Sequence, residues 1–442
     1  MTYAQRHILV LGLGRSGCAA ARLLVRLGAR VTGYDRDPAC GAELGPEVER
    51  VSGAAPPDLA AFDAVVASPG FPLPPDADVI PEVDLAAAQL EAPLVGVTGT
   101  NGKSTTVELI GDMLQRSGQL VAVGGNLGTP LSALVEETAD VVVAELSSFQ
   151  LERATRLHPN VAVLLNLAPD HLDRHADLEA YGRAKSRLAA LQTESDTLVV
   201  NLDDAWARRV PARAQRVGFT LDGVPDEGGF LDGKDLVVRE AGAERLRISR
   251  EALGPGVRSW PANALAAALA AFAAGASVAG VREALERCEG LPHRGALVCV
   301  RDGVRYLDDS KATNPAAALA SILTQPGAVI WLAGGRNKGL AFDALAEAAS
   351  HVRLAIVYGE AASELEAAIA ARVEVARASD LDDAVRVAAS RAHAGDVVLL
   401  APACASFDQF ASFEARGEHF AALARALPDA RSEGDAAEDP EA

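Results

Sequence analysis

The stretch Val95-Gly-Val-Thr-Gly-Thr-Asn-Gly-Lys-Ser-Thr-Thr106 decides the fold. The apolar run 93–97 predicts a strand, and the residues from Lys103 onward predict a helix. Backbone N–H groups of such a glycine-rich turn, together with the positive end of the helix, cradle polyphosphate. Lys103 is placed to reach the outer phosphates, and the Ser104 hydroxyl is placed to ligate Mg²⁺. The sequence therefore predicts a site for ATP or a similar nucleotide.

The spacing of this loop departs from the usual phosphate-loop pattern, G-x-x-x-x-G-K-[ST]. That pattern puts its first glycine at position 97, where this chain has Val97, and Gly96 lies one residue too early. The alternative interpretation is a glycine-rich connection between a strand and a helix, followed by a surface lysine.

The chain of 442 residues is long enough for two to four domains. Its formal net charge of −19 argues against nucleic acid or an anionic membrane as the main partner. The five cysteines are dispersed without a C-x-x-C pair, which is typical of reduced thiols in the cytoplasm. Neither a secretory leader nor a membrane-spanning apolar run is evident. We expect a cytoplasmic monomer that binds no nucleic acid, inserts into no membrane and carries a disordered acidic tail at 432–442.

Strand-like runs alternate with helix-like segments almost throughout, which predicts an α/β fold with mostly parallel sheets. Proline-rich punctuation at 71–75 and 91–93 places a first boundary near residue 92, and a new series of strands begins near Leu291. The predicted domains are residues 1–92, 93–290 and 291–431.

Two segments of the middle block have distinct patterns. Short alternating runs at 218–250 predict β-hairpins, and the Ala-rich run 262–274 predicts a closely packed helix. Beyond Leu291, strands and Ala-rich helices alternate again. We expect this third block to be doubly wound, like the first.

A second glycine-rich turn, Gly12-Leu-Gly-Arg-Ser-Gly17, follows the predicted strand 7–11 and opens a helix. Asp35 ends the next strand, near the spacing of an acidic residue that bonds a ribose. Three interpretations stay open: the turn binds a dinucleotide such as NAD(P) or FAD, it cradles the diphosphate of a UDP-sugar, or it serves close packing alone. The phosphate loop downstream argues against a dehydrogenase.

Polar residues follow two predicted strands of the middle block. Glu145 ends the strand 141–144, and His171 follows the strand 161–165. Ligands bind at the carboxyl ends of parallel strands, so both side chains are candidate metal ligands. Asn126 lies in a glycine-rich turn that can approach a substrate closely. The alternatives are a helix N-terminal acid, an exposed loop histidine and a plain turn.

The string Gly99-Thr-Asn-Gly-Lys-Ser-Thr105 resembles the ATP loop of the Mur ligase and folylpolyglutamate synthase family, whose loop has the same unusual spacing. Outside the acidic tail, nearly the whole chain is similar to the branch of that family that adds D-glutamate. Four strings carry this similarity in the family's order: Glu145-Leu-Ser-Ser-Phe-Gln-Leu-Glu152, Leu291-Pro-His-Arg294, Asp308-Asp-Ser-Lys-Ala-Thr-Asn314 and Ser406-Phe-Asp-Gln-Phe-Ala-Ser-Phe413.

The resemblance implies three α/β domains. A Rossmann-like N-terminal domain would bind a UDP substrate, a central ATPase domain of the P-loop type would bind ATP, and a Rossmann-like C-terminal domain would bind the amino acid. The implied activity is an ATP-dependent ligase of peptidoglycan precursor synthesis. It would add D-glutamate to UDP-N-acetylmuramoyl-L-alanine through an acyl phosphate, with two Mg²⁺ ions and no nicotinamide.

The resemblance also assigns roles to individual residues of this chain. The implied UDP-substrate residues are Gly14, Arg15, Ser16, Asp35, Arg36, Ser68, Gly70 and Asn126. The implied ATP residues are Gly99, Thr100, Asn101, Gly102, Lys103, Ser104, Thr105, Asn263, Arg294 and Asp309. The implied D-glutamate residues are Lys311, Thr313, Lys338, Ser406, Phe407 and Phe413. The implied metal ligands are Ser104, Glu145, His171 and a carbamylated Lys185, and the implied catalytic residues are Lys103, His171 and Lys185.

At one position the proposed role rests on the resemblance alone, and at two others the chain departs from the family's usual residues. Position and residue type alone predict a solvated surface charge for Lys185, so its role rests on the resemblance. Ser259-Trp-Pro261 stands where the family often has Asn or His, beside the implied adenine contact. Phe407 stands where an aliphatic residue is common, at the edge of the implied glutamate pocket.

Three rival functions stay open. One is another amino-acid ligase of the Mur or folylpolyglutamate type, and the strings at 308–314 and 406–413 argue against it. Another is an NAD(P)-dependent oxidoreductase, which the turn at 12–17 allows. The third is a nucleotide-binding switch without catalysis, which would show no phosphate release stimulated by an amino acid.

Overall fold

The computed structural model describes residues 3–74, 77–172 and 174–427. The chain forms two compact units. The first comprises Met1–Leu167 and Asp177–Glu289, and the second comprises Ala168–Ala176 and the chain from Gly290 onward. The acidic tail predicted at 432–442 lies outside the described residues. None of the helices in the described ranges combines the length and apolar character that a membrane crossing requires.

The first sheet lies at the N-terminal end of the first unit, and its neighbouring strands are parallel in the order β3-β2-β1-β4-β5. The strands are β1 (His7–Leu11), β2 (Arg30–Asp35), β3 (Val48–Ser52), β4 (Ala64–Ala67) and β5 (Ile80–Pro81), and the helices are α1 (Arg15–Arg26) and α2 (Glu82–Ala87). The strand order changes direction at β1, so ligands are expected at the carboxyl ends of β1 and β4. This confirms the predicted Rossmann-like arrangement.

The second sheet completes the first unit and has the order β14-β13-β12-β11-β10-β9-β6-β8-β7. Its strands are β6 (Leu94–Thr98), β7 (Val121–Gly125), β8 (Val141–Glu145), β9 (Val161–Leu164), β10 (Thr197–Asn201), β11 (Gln215–Thr220), β12 (Gly228–Asp232), β13 (Asp235–Glu240) and β14 (Ala243–Ser249). Its helices are α3 (Lys103–Arg116), α4 (Leu131–Leu134), α5 (Ser148–Leu151), α6 (Leu178–Ser186), α7 (Pro255–Arg258), α8 (Pro261–Ala273) and α9 (Val278–Arg287).

The second sheet is parallel from β7 to β12 and antiparallel from β12 to β14, where the sequence predicts hairpins. The predicted Ala-rich helix is α8. Its residues 264–272 are buried, and the helix packs against α3 and the sheet. The small alanine side chains allow that close approach. The strand β6 lies between β8 and β9, so the loop that follows it sits at the centre of the carboxyl edge.

The third sheet lies in the second unit and has the order β15-β16-β20-β17-β18-β19. Its strands are β15 (Ala296–Arg301), β16 (Val304–Asp308), β17 (Val329–Gly334), β18 (Val352–Tyr358), β19 (Val375–Arg377) and β20 (Val397–Leu400). Its helices are α10 (Pro315–Leu323), α11 (Ala362–Ile369), α12 (Leu381–Arg391) and α13 (Phe413–Ala426), with a 3-10 segment at Asp343–Ser350.

Two hydrophobic layers show that this third block is doubly wound, as predicted. Ile322 of α10 and Leu365 of α11 belong to the layer on one face of the sheet. Leu381 of α12 and Phe420 of α13 belong to the layer on the other face. The pair β15–β16 is antiparallel and the remaining pairs are parallel. The predicted α/β class is confirmed, while the domain boundaries near residues 92 and 290 stay predictions.

Candidate active site

The glycine-rich loop between β6 and α3 begins the candidate site. Gly102 caps α3 with a φ of +87°, a conformation that glycine adopts at little cost and other residues rarely adopt. The helix is 14 residues long and has no acidic residue in its first turn. The positive end of its dipole therefore faces the loop without a competing carboxylate from that turn, which favours a bound anion.

Asn166, two residues past β9, holds this loop in place. Its side-chain Oδ1 accepts a hydrogen bond from the Asn101 N–H at 2.9 Å, and its Nδ2 donates to the Asn101 carbonyl at 3.1 Å. Its own carbonyl accepts from the Thr100 N–H at 2.9 Å. The sequence analysis missed this residue. Its position past a strand that ends at the carboxyl edge was the available signal.

Replacing Asn166 with alanine removes both side-chain bonds to the loop and leaves the backbone bond. Two such bonds contribute on the order of 1–2 kcal/mol together, so we expect the affinity for ATP to fall about tenfold. Titration calorimetry of the variant measures this. The matched control is Asn160→Ala, because Asn160 Oδ1 accepts from the Leu94 N–H at the opposite ends of the same two strands. Equal ATP affinity in the two variants would contradict the role of Asn166.

Two lysines converge on one carbonyl of the loop. Lys103 Nζ donates to the Gly99 carbonyl at 2.9 Å and to the Thr100 carbonyl at 2.9 Å. Lys185 Nζ donates to the same Gly99 carbonyl at 2.7 Å and lies 4.4 Å from the centroid of the Tyr181 ring. Lys185 is 1% exposed. The interpretation of Lys185 as a solvated surface charge is therefore wrong, because its helix presents it to the phosphate loop.

Glu145 ends β8 beside the loop and is buried. Its Oε2 accepts a hydrogen bond from the Ser104 hydroxyl, and its Oε1 accepts from Asn126 Nδ2 at 2.9 Å. Hydroxyl and carboxylate oxygens are the ligands that Mg²⁺ prefers. Ser104 and Glu145 thus fit the predicted metal, although the described residues contain no cluster of three or more His, Cys, Asp or Glu side chains suited to a metal.

The beginning of α8 also reaches the phosphate loop. A Cβ placed on Gly102 would lie 2.5 Å from Asn263 Oδ1, so the Asn263 amide sits directly against the cap of α3. The structure therefore places this predicted ATP residue beside the predicted phosphate residues. Thr105 belongs to the first turn of α3.

The predicted UDP-substrate residues gather at the carboxyl ends of β1, β2 and β4. Asp35 Oδ2 accepts a hydrogen bond from the Leu13 N–H at 2.7 Å, which fixes the turn after β1. A Cβ on Gly17 would lie 1.7 Å from the Gly12 carbonyl oxygen, so close packing requires that glycine. The other members around this turn and the ends of β2 and β4 are Gly14, Arg15, Ser16, Arg36, Ser68 and Gly70.

The turn after β7 lies next to this group within the same unit. Arg15 Nη1 is 3.5 Å from the Gly128 carbonyl, two residues beyond Asn126. The Asn126 N–H donates to the Glu145 carbonyl at 2.8 Å. Asn126 therefore connects the surroundings of the first glycine turn to the carboxylate beside the phosphate loop.

The second unit carries the predicted amino-acid residues on loops that follow β16, β17 and β20 and at the start of α13. Lys311 Nζ lies 3.8 Å from the centroid of the Phe413 ring. The Thr313 N–H donates to the Lys311 carbonyl at 2.7 Å. Ser406 is buried, whereas Phe407 is 64% exposed. The exposed aromatic ring of Phe407 is therefore available to a ligand.

Asp170 bonds Lys338, which the sequence analysis assigned to the amino acid, and Asn314, which it assigned to no ligand. Its Oδ1 accepts from Lys338 Nζ at 2.6 Å, and its Oδ2 accepts from Asn314 Nδ2 at 3.0 Å. His171 follows it with a φ of +54°. Burial raises the pKa of Asp170, but Lys338 and His171 outweigh burial and bring it below its usual value. Asp170 is a second residue that the sequence analysis missed.

Asp309, the residue after β16, is buried, and its N–H donates to the Leu400 carbonyl at 2.8 Å. Burial raises the pKa of its carboxyl from 3.8 to about 6, against the nearby charge of Arg294, which lowers it. These two predicted ATP residues therefore lie near each other. Because the folded state binds this proton more tightly, the associated stability is present at low pH and is lost as the pH rises from about 4 through about 6.

We expect the substitution Asp309→Asn to remove this dependence, since an amide does not ionise. A shift of about two pKa units corresponds to ~3 kcal/mol, so the variant should gain up to that amount over the parent chain near pH 7 and gain little near pH 4. Denaturant unfolding of both proteins across this range measures the difference. A difference in the free energy of unfolding that does not change with pH would contradict the assignment.

Two family models match the chain. The model of the Mur ligase middle domain matches residues 97–271, and the model of the Mur ligase glutamate ligase domain matches residues 293–404. The first contains the phosphate loop, Glu145 and Lys185. The second contains Arg294, Asp309 and Lys311.

Relatives match over nearly the full length. A UDP-N-acetylmuramoylalanine--D-glutamate ligase of Myxococcus xanthus is 42% identical, over 96% of this chain and 98% of the relative. A protein of the same name from Symbiobacterium thermophilum is 39% identical, over 96% of this chain and 98% of the relative.

Solved structures share the fold. A pseudomurein peptide ligase type C from Methanothermus fervidus has a TM-score of 0.63 at 20% sequence identity, covering 90% of this chain and 96% of that one. A MurF ligase from Thermotoga maritima in complex with ADP has a TM-score of 0.62 at 19% identity, covering 96% of each chain. Two family models match the chain, and the relatives are similar to it over almost the whole sequence. The phosphate loop has the geometry that binds a nucleotide. This chain belongs to the Mur ligase family.

Proposed function

We propose that this chain is an ATP-dependent ligase that adds D-glutamate to UDP-N-acetylmuramoyl-L-alanine in peptidoglycan precursor synthesis. The observation that carries the proposal is the convergence of Lys103 and Lys185 on the loop carbonyl of Gly99, with Ser104 and Glu145 alongside. The near-full-length similarity to ligases named for D-glutamate addition supports the choice of substrates.

In the first step, the carboxylate of the L-alanyl group attacks the γ-phosphate of ATP. A carboxylate is a poor electrophile, and phosphorylation gives its carbonyl carbon a leaving group. Lys103 offsets the negative charge of the transferring phosphoryl group, while the loop and the first turn of α3 hold the phosphates. The reaction yields ADP and an acyl phosphate.

In the second step, the amine of D-glutamate attacks the acyl phosphate, and the tetrahedral intermediate expels inorganic phosphate. The amine must first lose a proton, and the two candidate acceptors are an oxygen of the bound phosphate and His171 in the form that does not ligate a metal. Lys311, Thr313, Lys338, Ser406, Phe407 and Phe413 would hold the amino acid. Catalysis then depends mostly on the orientation of the two reactants.

Ser104 and Glu145 would hold one Mg²⁺. The further candidate metal ligands are His171 in the second unit and a carbamylated Lys185 in the first. The metal would supply positive charge against the phosphate oxygens. The UDP portion of the substrate would bind at the turn after β1, through Gly14, Arg15, Ser16, Asp35 and Arg36. We further propose that the protein acts as a monomer in the cytoplasm, where its dispersed cysteines stay reduced.

Phosphate release tests this function directly. The purified chain is given ATP, Mg²⁺ and UDP-N-acetylmuramoyl-L-alanine, with D-glutamate, L-glutamate, L-lysine or glycine in parallel reactions. We expect release with D-glutamate and little with the other amino acids or without the UDP substrate. Preference for another amino acid would indicate a different ligase of the family. ATP binding without stimulated release would indicate a switch, and a change in nicotinamide absorbance on titration would indicate an oxidoreductase.

A further inference from the structure

Arg416 on α13 is buried, with 1% of its surface exposed, and its guanidinium contacts three separate segments. Its Nε donates to the Ser310 hydroxyl at 2.9 Å, and its Nη2 donates to the Ser310 carbonyl at 2.9 Å. Both Nη atoms donate to the Cys404 carbonyl at 3.2 Å, and Nη1 also donates to the Gly334 carbonyl at 3.4 Å. A guanidinium has five N–H donors, so this arrangement can use the whole group.

The three segments lie side by side at the carboxyl edge of the third sheet. Ser310 and Cys404 follow β16 and β20, and Gly334 is the last residue of β17; these three strands are adjacent and parallel. Each segment leads into at least one residue proposed above to bind the amino acid. Among these residues are Lys311, Ser406 and Lys338. One side chain behind the sheet edge therefore contacts all three binding loops.

The acceptors of Arg416 are carbonyl and hydroxyl oxygens. Burial lowers the pKa of the guanidinium, against the opposing influence of Asp408 and Asp308. A buried cation adds little to stability compared with an apolar side chain of similar volume. The hydrogen bonds of the guanidinium hold the three segments in one conformation. The buried charge therefore contributes to the specificity of the structure more than to its stability.

The contact extends from Arg416 into the first turn of its own helix. The Ser310 hydroxyl, which accepts from Arg416 Nε, donates to the Phe413 carbonyl at 2.8 Å. At the next position, a Cβ on Gly417 would lie 2.2 Å from His293 Nδ1. The start of α13 is therefore seated closely on the segments around β16, and Phe413 is fixed relative to Lys311.

We infer that Arg416 is a positioning residue, which sets the spacing of Lys311, Lys338 and Ser406 and so determines affinity for the amino acid. This inference rests on the proposed function of these loops. Lysine is a weak substitute because a single ammonium has three donors at one point and cannot span three segments.

The test is the substitution Arg416→Lys in the full-length protein. We expect KM for D-glutamate to rise about tenfold or more, while KM for ATP and for the UDP substrate changes less than about twofold. Circular dichroism and thermal unfolding establish that the variant is folded. A second variant, Ser310→Ala, removes only the hydroxyl link between Arg416 and Phe413. It should raise the same KM by a smaller factor.

The matched control is Arg353→Lys on β18, because Arg353 also bonds a backbone carbonyl, that of Arg391, and a carboxylate, that of Asp396. Its substitution should leave KM for D-glutamate unchanged. Unchanged KM in folded Arg416→Lys and in Ser310→Ala would overturn the inference. Equal increases in all three KM values, or an equal effect of Arg353→Lys, would overturn it too, because they indicate a general loss of structure.

The test separates this inference from the proposed function. If the parent chain uses another amino acid instead of D-glutamate, the proposed function fails. KM for that amino acid then tests Arg416 in the same way. If the parent chain uses D-glutamate and the variants keep its KM, the inference fails alone.

Discussion

Substitution of Lys103 by alanine is expected to reduce the rate of ligation on the order of a thousandfold, the range seen when a group that stabilises transition-state charge is removed. Lys103 begins α3, and its Nζ already lies at the phosphate loop, where it bonds the carbonyls of Gly99 and Thr100. Alanine leaves the negative charge of the transferring phosphoryl group uncompensated at that point. Phosphate release with all three substrates measures the effect.

The UDP substrate should still bind to the Lys103→Ala variant, because most of its proposed contacts lie at the first sheet. Calorimetric titration with UDP-N-acetylmuramoyl-L-alanine checks this. The control is Lys234→Ala, since Lys234 is a lysine of the same unit whose exposed side chain pairs with Glu251. The Lys234→Ala variant should catalyse ligation at the rate of the parent chain. Near-normal turnover of Lys103→Ala would show that the phosphate loop is assigned wrongly.

Substitution of Lys185 by alanine is expected to lower turnover on the order of a hundredfold or more, because it removes the proposed carbamate ligand of a metal. Lys185 is buried, and Lys103 bonds the same carbonyl. A neutral amine can add CO₂ and lose a proton to become a carbamate anion. Short carboxylates such as acetate should therefore restore part of the activity.

The variant Lys185→Arg separates the two possible roles of this side chain. Arginine keeps a positive charge near the Gly99 carbonyl but cannot form the carbamate under these conditions. If Lys185 acted only as a cation on the loop, Lys185→Arg would keep most of the turnover, and carboxylates would not rescue Lys185→Ala. Full activity of Lys185→Ala would remove the carbamate from the mechanism.

Local patterns in the sequence predicted much of the fold. Strand-to-helix turns such as 96–106 and 12–17 combine apolar runs with glycines, so their conformation follows from neighbouring residues. The strands predicted at 7–11, 93–97, 141–144 and 161–165 and the Ala-rich helix α8 lie within one residue of the predicted bounds. The order of the strands in each sheet was not predictable from these patterns, because it depends on pairings between distant segments.

The candidate site also contains residues that local patterns predict and residues that they do not. Ser104 was predicted because it lies in a loop motif, and Glu145 because it lies at the end of a strand. The burial of Lys185 depends on where α6 packs, and only the family resemblance singled it out. Asn166, Asp170 and Arg416 act through partners 65, 168 and 106 residues away in the chain. No local pattern connects such pairs, so single-sequence reasoning had no signal for them beyond strand ends.

Because Asn166 fixes the backbone of Thr100 and Asn101, the phosphate loop has its shape before a nucleotide arrives. Restricting the backbone of one residue costs about 1–2 kcal/mol of conformational entropy. For these two loop residues, the conformational entropy is lost when the protein folds and not when ATP binds. The nucleotide therefore enters a rigid cradle, and its association should follow a single kinetic phase without a slower step of loop ordering.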